Sequence, residues 1–398
     1  IGAGQAGAQG AASLREEGFK GAITLIGEER APPYQRPPLS KAYLAGALAE
    51  DRLYLRPREF YDKNDVDLRP GARATAIDRG TKTVALASGE TLSYDKLLIA
   101  TGAPPRRLNV PGADLPGVAY LRTIADSDHL RATFANAKRL VIVGAGYIGL
   151  EVAAVARKAG LVVTVLELAA RALSRVAPPE VSNFYRDLHR AAGVDLRFGA
   201  ALSGFEGNGA LEAALLADRE AIPCDAALIC VGAAPATALA EASGLKVDNG
   251  LWVDETAASE DPSIWAAGDV TNHPSLLYGR RVRLESVPNA IDQAKAAAAN
   301  MAGRRMAYDA VPWFWSDQYD LKLQTAGISA GAGETVTRGD PKSKRYAVFS
   351  LNQGRLLAVD AINDPASFLV GKKLIGLKAS PDPKVLADPE KDLKSLLA

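Results

Sequence analysis

The chain has 398 residues, 47 Lys and Arg against 46 Asp and Glu, and 48% hydrophobic residues. That length divides into two or three domains with cores of their own, and apolar content beside a net charge of +1 excludes a disordered chain or one built to grip nucleic acid. No apolar run reaches the ~18–20 residues that cross a bilayer, and two cysteines and three histidines make neither a disulfide framework nor a histidine-based metal site, so a cytoplasmic chain with no membrane or metal partner is expected.

The chain opens at Ile1 with Gly2-Ala3-Gly4-Gln5-Ala6-Gly7 directly behind it, so its first strand is expected to begin upstream. Helix-compatible residues continue through 13–17, Gly18 and Gly21 interrupt them, and Ile23-Thr24-Leu25-Ile26 reads as a strand. Residues 84–92 read as a hairpin turning at Ser88-Gly89. Leu97-Leu98-Ile99-Ala100 is a buried strand stopped by Thr101-Gly102, and Pro104-Pro105 marks a boundary. Leu140-Val141-Ile142-Val143 is another, followed by Gly144-Ala145-Gly146-Tyr147-Ile148-Gly149, a helix over 150–159 and a strand over 162–167 that ends in Glu167. Residues 226–231 form a strand ended by Gly232, residues 263–267 one ended by Gly268-Asp269, and residues 290–302 an Ala-rich helix. Past Pro312 the alternation in Tyr346-Ala347-Val348-Phe349-Ser350-Leu351 marks a small α+β domain.

Strand, glycine turn, helix and strand thus occur twice, which predicts an α/β chain with two Rossmann-like dinucleotide-binding domains. A Gly-x-Gly-x-x-Gly turn lets a pyrophosphate approach the backbone where free N–H groups and the helix dipole point at it. Glu167 and Glu28 each follow their turn by roughly the 20 residues expected of a ribose-binding acid. Glu28 falls one residue late, because the aligned position is Gly27. An acid accepts from a ribose diol and repels a 2′-phosphate, so Glu167 favours NADH; Arg171 and Arg175 stand nearby and read as solvated helix charges. Two such sites predict a tightly held FAD and an exchangeable NADH.

The fingerprints, Ala100-Thr101-Gly102 and Ala266-Ala267-Gly268-Asp269 resemble the two-dinucleotide flavoprotein reductases of the glutathione-reductase fold. Within that group, several stretches are similar to bacterial NADH-dependent ferredoxin reductases serving cytochrome P450 and ring-hydroxylating oxygenase systems. They are Tyr34-Gln35-Arg36-Pro37-Pro38-Leu39-Ser40-Lys41, Leu121-Arg122-Thr123, residues 144–151, Arg283-Leu284-Glu285-Ser286 and Trp313-Phe314-Trp315-Ser316-Asp317-Gln318. The resemblance implies an FAD-binding domain of residues 1–109 and 239–309, an NADH-binding domain of 110–238, and a C-terminal domain of 310–398.

By that resemblance Gly2, Gly4 and Gly7 hold the FAD pyrophosphate, Glu28 the adenosine ribose, and Thr101, Gly102, Gly268 and Asp269 the rest of the site. Asp269 also reads as a plain helix N-cap. NADH is implied to lie on Gly144, Gly146, Ile148, Gly149, Glu167 and Gly232. Lys41 is implied to sit beside the flavin and pair with Glu151, its charge stabilising the reduced ring, with Arg36 assisting. Read alone, Lys41 is a solvated lysine and Glu151 a routine helix residue. Trp315, with Trp313, lines the flavin's exposed edge or packs the third domain's core.

Disulfide reductases of this fold carry a Cys-x4-Cys pair where this chain has residues 37–41, and a histidine near the C-terminus. No cysteine precedes Cys224 and no histidine follows His273, so electrons must leave the flavin directly. The expected activity is hydride transfer from NADH to FAD and then single electrons to a 2Fe–2S ferredoxin. Arg280, Arg281, Arg283, Arg304 and Arg305 read as a basic face for an acidic carrier or as a solvated charged face. An NADH oxidase or rubredoxin reductase of the same fold is the alternative enzyme, and a flavoprotein acting by binding, like relatives of apoptosis-inducing factor, the alternative of another class. Monomer and homodimer both remain open.

Overall fold

The computed structural model describes residues 1–397. The chain divides into two compact units, one of residues 1–35, 50–104 and 234–312, the other of 36–49, 105–233 and 313–398.

In the first unit, strand Ile23–Gly27 pairs in parallel with Val66–Pro70, and Leu97–Ile99 with Ile264–Ala266. Ile1 and Gly2 lie between these two ribbons: the Gly2 N–H donates to Ile26 O, while Ile1 exchanges bonds with Leu98 and Ala100. The glycine turn therefore leaves the sheet at an interior strand, with helix Gln5–Glu16 behind it. That helix packs on Val287–Met301 through small side chains, with Ala6, Ala290 and Ala294 meeting Ala100 and Ala267. Small residues let helix and sheet approach closely; a Cβ on Gly10 would lie 2.5 Å from the Leu98 side chain. The hairpin read over 84–92 is present as Thr83–Leu86 and Thr91–Ser93, extended by Ala74–Asp78 into a three-stranded antiparallel sheet. Helix Val287–Met301 begins before Ala290 because the Ser286 side chain caps it and Pro288 sits in its first turn.

The second unit holds a five-stranded parallel sheet in the order Asp195–Phe198, Val162–Glu167, Arg139–Val143, Ala226–Ile229, Val118–Ala119. Its inner strands are covered on both faces, which is why they read as unbroken apolar runs. The chain moves from Arg139–Val143 to one neighbour and returns on the other side, so the second glycine turn lies at the topological switch point where ligands bind in such sheets. Residues past 312 form a five-stranded antiparallel sheet in the order Trp313–Gln318, Leu321–Gly327, Arg355–Ile362, Arg345–Asn352, Glu334–Asp340. Helix Pro365–Gly376 seats on it where Gly371 leaves room for Val359. Among the described residues no helix is long and apolar enough to cross a membrane.

Candidate functional site

Each glycine turn is closed by contacts that admit no side chain. A Cβ on Gly7 would lie 1.9 Å from Gly2 O, and one on Gly149 would lie 2.1 Å from Gly144 O. Gly144, at φ +107°, would bring a Cβ to 2.4 Å from Cys230 O, and Gly2, at φ +100°, to 2.2 Å from Ala100 O. The middle glycines differ: a Cβ on Gly4 or Gly146 would meet nothing within 4 Å. These two residues cap helices Gln5–Glu16 and Tyr147–Lys158 with no side-chain cap bond and no acidic residue in the first turn. Uncapped N–H groups, the positive helix end and open space fit a pyrophosphate at both turns. Replacing Gly149 by Ala is expected to raise the dissociation constant for NADH at least tenfold, since backbone rather than a side chain must give way; titration of the flavin-loaded variant with NADH checks this.

The acids beside the two turns behave differently. Glu167 accepts the Ala145 N–H on Oε2 and the Ala169 N–H on Oε1, both at 2.8 Å. A carboxylate offers about four lone-pair sites, so it can brace the turn and still accept from a ribose. At the matching place in the first turn a Cβ on Gly27 would lie 2.5 Å from the Ala3 Cβ, which moves the acid one residue on. Glu28 there is 73% exposed and stands 3.5 Å from Arg73. Thr101 donates to Ala236 O at 2.9 Å. A Cβ on Gly268 would lie 3.1 Å from the Ala6 Cβ and 3.6 Å from the Ala290 Cβ, and the Gly268 N–H donates to Gln293 Oε1 at 2.9 Å, directly before Asp269. Gln293, which also takes the Thr271 hydroxyl, is a buried polar residue in an alanine helix, and that contrast was the available signal for it.

Around the second turn Ile148 and Leu168 are exposed apolar side chains, and the Arg175 guanidinium lies within 3.5 Å of where a Gly232 Cβ would sit. The expectation of solvated helix charges is corrected in part: residues 168–177 form bends and turns, not a helix, while Arg175 is exposed as expected. Arg171 is spent on Ala177 O, Ser174 O and the Ser182 hydroxyl.

Lys41 Nζ lies 2.6 Å from Glu151 Oε2, with the lysine 16% and the glutamate 2% exposed. Local sequence explains the placement. Pro37 and Pro38 start a 3-10 turn, Leu39 buries, and Lys41 leaves at its C-terminal end. Glu151 lies on the buried face of helix Tyr147–Lys158. Ser40 donates to Glu151 Oε2 at 2.5 Å and Ser316 to Oε1 at 2.6 Å. A buried charge paired and hydrogen-bonded at every oxygen is held in one place. Arg36 donates to Arg122 O at 2.7 Å.

Residues 1–294 match the pyridine nucleotide-disulphide oxidoreductase family, and residues 313–397 the reductase C-terminal family. The chain belongs to the pyridine nucleotide-disulphide oxidoreductases. It is 45% identical, over all of its length and 97% of the relative's, to a probable ferredoxin reductase, CtmF, of Castellaniella defragrans. A ferredoxin reductase from Rhodopseudomonas palustris superposes with a TM-score of 0.98 at 41% identity, covering 100% of this chain and 98% of that one. The covalent putidaredoxin reductase–putidaredoxin complex matches with a TM-score of 0.96 at 42% identity, covering 100% and 96%.

As a pyridine nucleotide-disulphide oxidoreductase the protein uses FAD and a nicotinamide dinucleotide. Its two cysteines are both free thiols. Burial pushes Cys224 and Cys230 up to about 12, which keeps them protonated and unreactive at neutral pH. The arginines divide between the readings given for them: Arg280, Arg304 and Arg305 are exposed, as in a solvated charged face, whereas Arg281 and Arg283 are half-buried and spent on local partners. Arg281 is held by Asn272 and Val253 O over the Trp252 ring, Arg283 pairs with Glu285, Arg304 with Glu17, and Arg305 stands 3.7 Å from Glu255. Carboxylates from distant segments reach Arg304 and Arg305, while Arg283 pairs within its own segment and Arg281 donates to an amide oxygen and a backbone carbonyl. Trp313 packs against Phe368 and Trp315, at ring distances of 5.8 and 5.7 Å, with the Lys372 ammonium over its face.

Proposed function

We propose that the protein is an NADH-dependent, FAD-containing ferredoxin reductase of the cytoplasm, delivering single electrons to a 2Fe–2S ferredoxin that feeds a cytochrome P450 or ring-hydroxylating oxygenase. The observation that carries this reading is a pair of open, uncapped glycine turns in a chain whose two thiols, the buried Cys224 and the half-buried Cys230, are both held protonated. Support for the carrier comes from relatives named as ferredoxin reductases and from the covalent complex of one of them with putidaredoxin.

Bound FAD supplies the chemistry that turns a two-electron hydride into two single electrons. In this reading residues 1–109 with 239–309 bind FAD through Gly2, Gly4, Gly7, Glu28, Thr101, Gly102, Gly268 and Asp269. Residues 110–238 bind NADH through Gly144, Gly146, Ile148, Gly149, Glu167 and Gly232, and residues 310–398 form a third domain that contributes Trp315. Glu167 both shapes its turn and selects against a 2′-phosphate. Lys41 supplies positive charge to the reduced flavin, Glu151 holds that charge in place, and Arg36 fixes the start of the Lys41 turn.

The test is a panel of carriers. Purified holoprotein with NADH is expected to reduce a 2Fe–2S ferredoxin far faster than rubredoxin, oxygen or a quinone, and NADPH is expected to be at least tenfold poorer in kcat/KM. A preference for rubredoxin, or oxygen uptake as fast as carrier reduction, would replace this reading with one of its alternatives.

A further inference from the structure

We propose that Tyr319, His189, Gln318 and Ser316 form a one-directional chain of hydrogen bonds that positions Glu151 and, through it, Lys41. The proposal rests on the reading that the Lys41–Glu151 pair serves hydride transfer. It joins two stretches far apart in sequence, Pro37-Pro38-Leu39-Ser40-Lys41 and Trp315-Ser316-Asp317-Gln318, at one carboxylate.

The direction of every link follows from the carboxylate outward. An ionised carboxylate only accepts, so Ser316 spends its single proton on Glu151 Oε1 at 2.6 Å. Ser316 Oγ must then accept from Gln318, and Gln318 Nε2 stands 3.1 Å away. That fixes the amide, turning Gln318 Oε1 toward His189 Nε2 at 2.8 Å. His189 must therefore carry its proton on Nε2, leaving Nδ1 bare to accept from the Tyr319 hydroxyl at 3.2 Å. Ser316, Gln318 and His189 are at most 1% exposed, so water does not compete for these groups. Burial holds His189 down at about 4, so the ring is neutral and has one proton to place. On the other carboxylate oxygen, Ser40 and Lys41 both donate.

Dipoles aligned head to tail toward an anion reinforce one another in a poorly polarisable interior. This chain does not carry protons. An amide donates and accepts on different atoms, so passing a proton along would require Gln318 to turn over. Ordinary core packing also needs shape, but it has no need for each of four links to point the same way. The direction is what marks these four as positioning residues.

The direct readout is the tautomer of His189. Holoprotein labelled with 15N-histidine, with His189 assigned through His189→Asn, is expected to show the Nε2–H form at neutral pH. Removing a buried hydrogen bond to a charged group lowers a dependent rate by roughly tenfold to a hundredfold. Ser316→Ala and Gln318→Met are therefore expected to slow the limiting rate of flavin reduction by about tenfold or more. The NADH dissociation constant should stay within about twofold while the flavin midpoint potential moves. Ser316→Thr, which keeps the hydroxyl, is expected to restore most of the rate. Tyr319→Phe alters the far end with the least risk to folding, and a smaller change of the same sign is expected.

An Nδ1–H tautomer in the native protein would overturn the proposal. So would native rate and potential in Ser316→Ala, Gln318→Met and Tyr319→Phe while Lys41→Ala and Glu151→Gln are slow. If Lys41→Ala and Glu151→Gln themselves keep the native rate, the role of the pair falls and the positioning role falls with it. The two failures are thus told apart.

Discussion

Asp360→Asn is expected to make the protein more stable above neutral pH, by an amount that grows between about pH 4 and about pH 7 and is level beyond. Asp360 is fully buried on strand Arg355–Ile362, and burial raises its carboxyl to about 7. The Thr325 hydroxyl donates to one oxygen at 2.6 Å, while the other is buried without a partner. Tyr147, Tyr185 and Tyr346 face the same region, and their hydroxyls are all pushed up, burial being the main cause in each. A folded-state value above the unfolded one means that the native protein binds the proton more tightly. The resulting stability is complete below the unfolded value and is lost as pH rises through about 7. Roughly three pH units at ~1.4 kcal/mol each make a penalty of at most about 4 kcal/mol above neutrality. Thermal melts of both proteins from about pH 5.5 to about pH 8.5 check the widening gap. A gap that stays constant with pH would show that Asp360 does not titrate there.

Breaking the Lys41–Glu151 pair is the second large effect. Lys41→Ala leaves a carboxylate that is 2% exposed without its cation, and removal of one partner from a buried pair costs about 3–5 kcal/mol. Glu151→Ala orphans Lys41 and also the Ser40 and Ser316 hydroxyls, so its cost is expected to match or exceed that. The double variant Lys41→Met, Glu151→Gln removes both charges and is expected to recover most of the stability, because a neutral replacement of a buried pair is often tolerated. Hydride transfer is expected to remain slow in all three. Denaturant unfolding beside single-turnover flavin reduction separates the effects. Recovery of rate along with stability in the double variant would mean that the pair is structural only.

Much of the fold was legible in the sequence because its signals are local. Unbroken apolar runs, a glycine turn and an alanine-rich helix mark the dinucleotide units without help from tertiary contacts. The late position of Glu28 was legible as well, although its cause, the contact of Gly27 with Ala3, needed coordinates. The polar cluster around Glu151 was not legible, since Ser40, Glu151, His189, Ser316 and Gln318 come together from four distant segments. One clue was available: residues 316 and 318 alternate onto one buried face of strand Trp313–Gln318, where two polar side chains must find partners. For the arginines at 280–283 and 304–305 the two readings could not be separated without the coordinates. Glu17 and Glu255, beside Arg304 and Arg305, lie far from them in sequence, whereas Asn272 and Glu285, which hold Arg281 and Arg283, are local.

The central claim is that a two-electron donor and a one-electron carrier meet through one flavin with no sulfur between them. An anaerobic titration of the holoprotein with NADH, followed by oxidised 2Fe–2S ferredoxin, tests it most directly. The account predicts that NADH bleaches the flavin, that the carrier restores its colour, and that two ferredoxins are reduced for each NADH consumed, with thiol-blocking reagents having no effect. Failure of the carrier to reoxidise the flavin, or loss of transfer on blocking thiols, would contradict it.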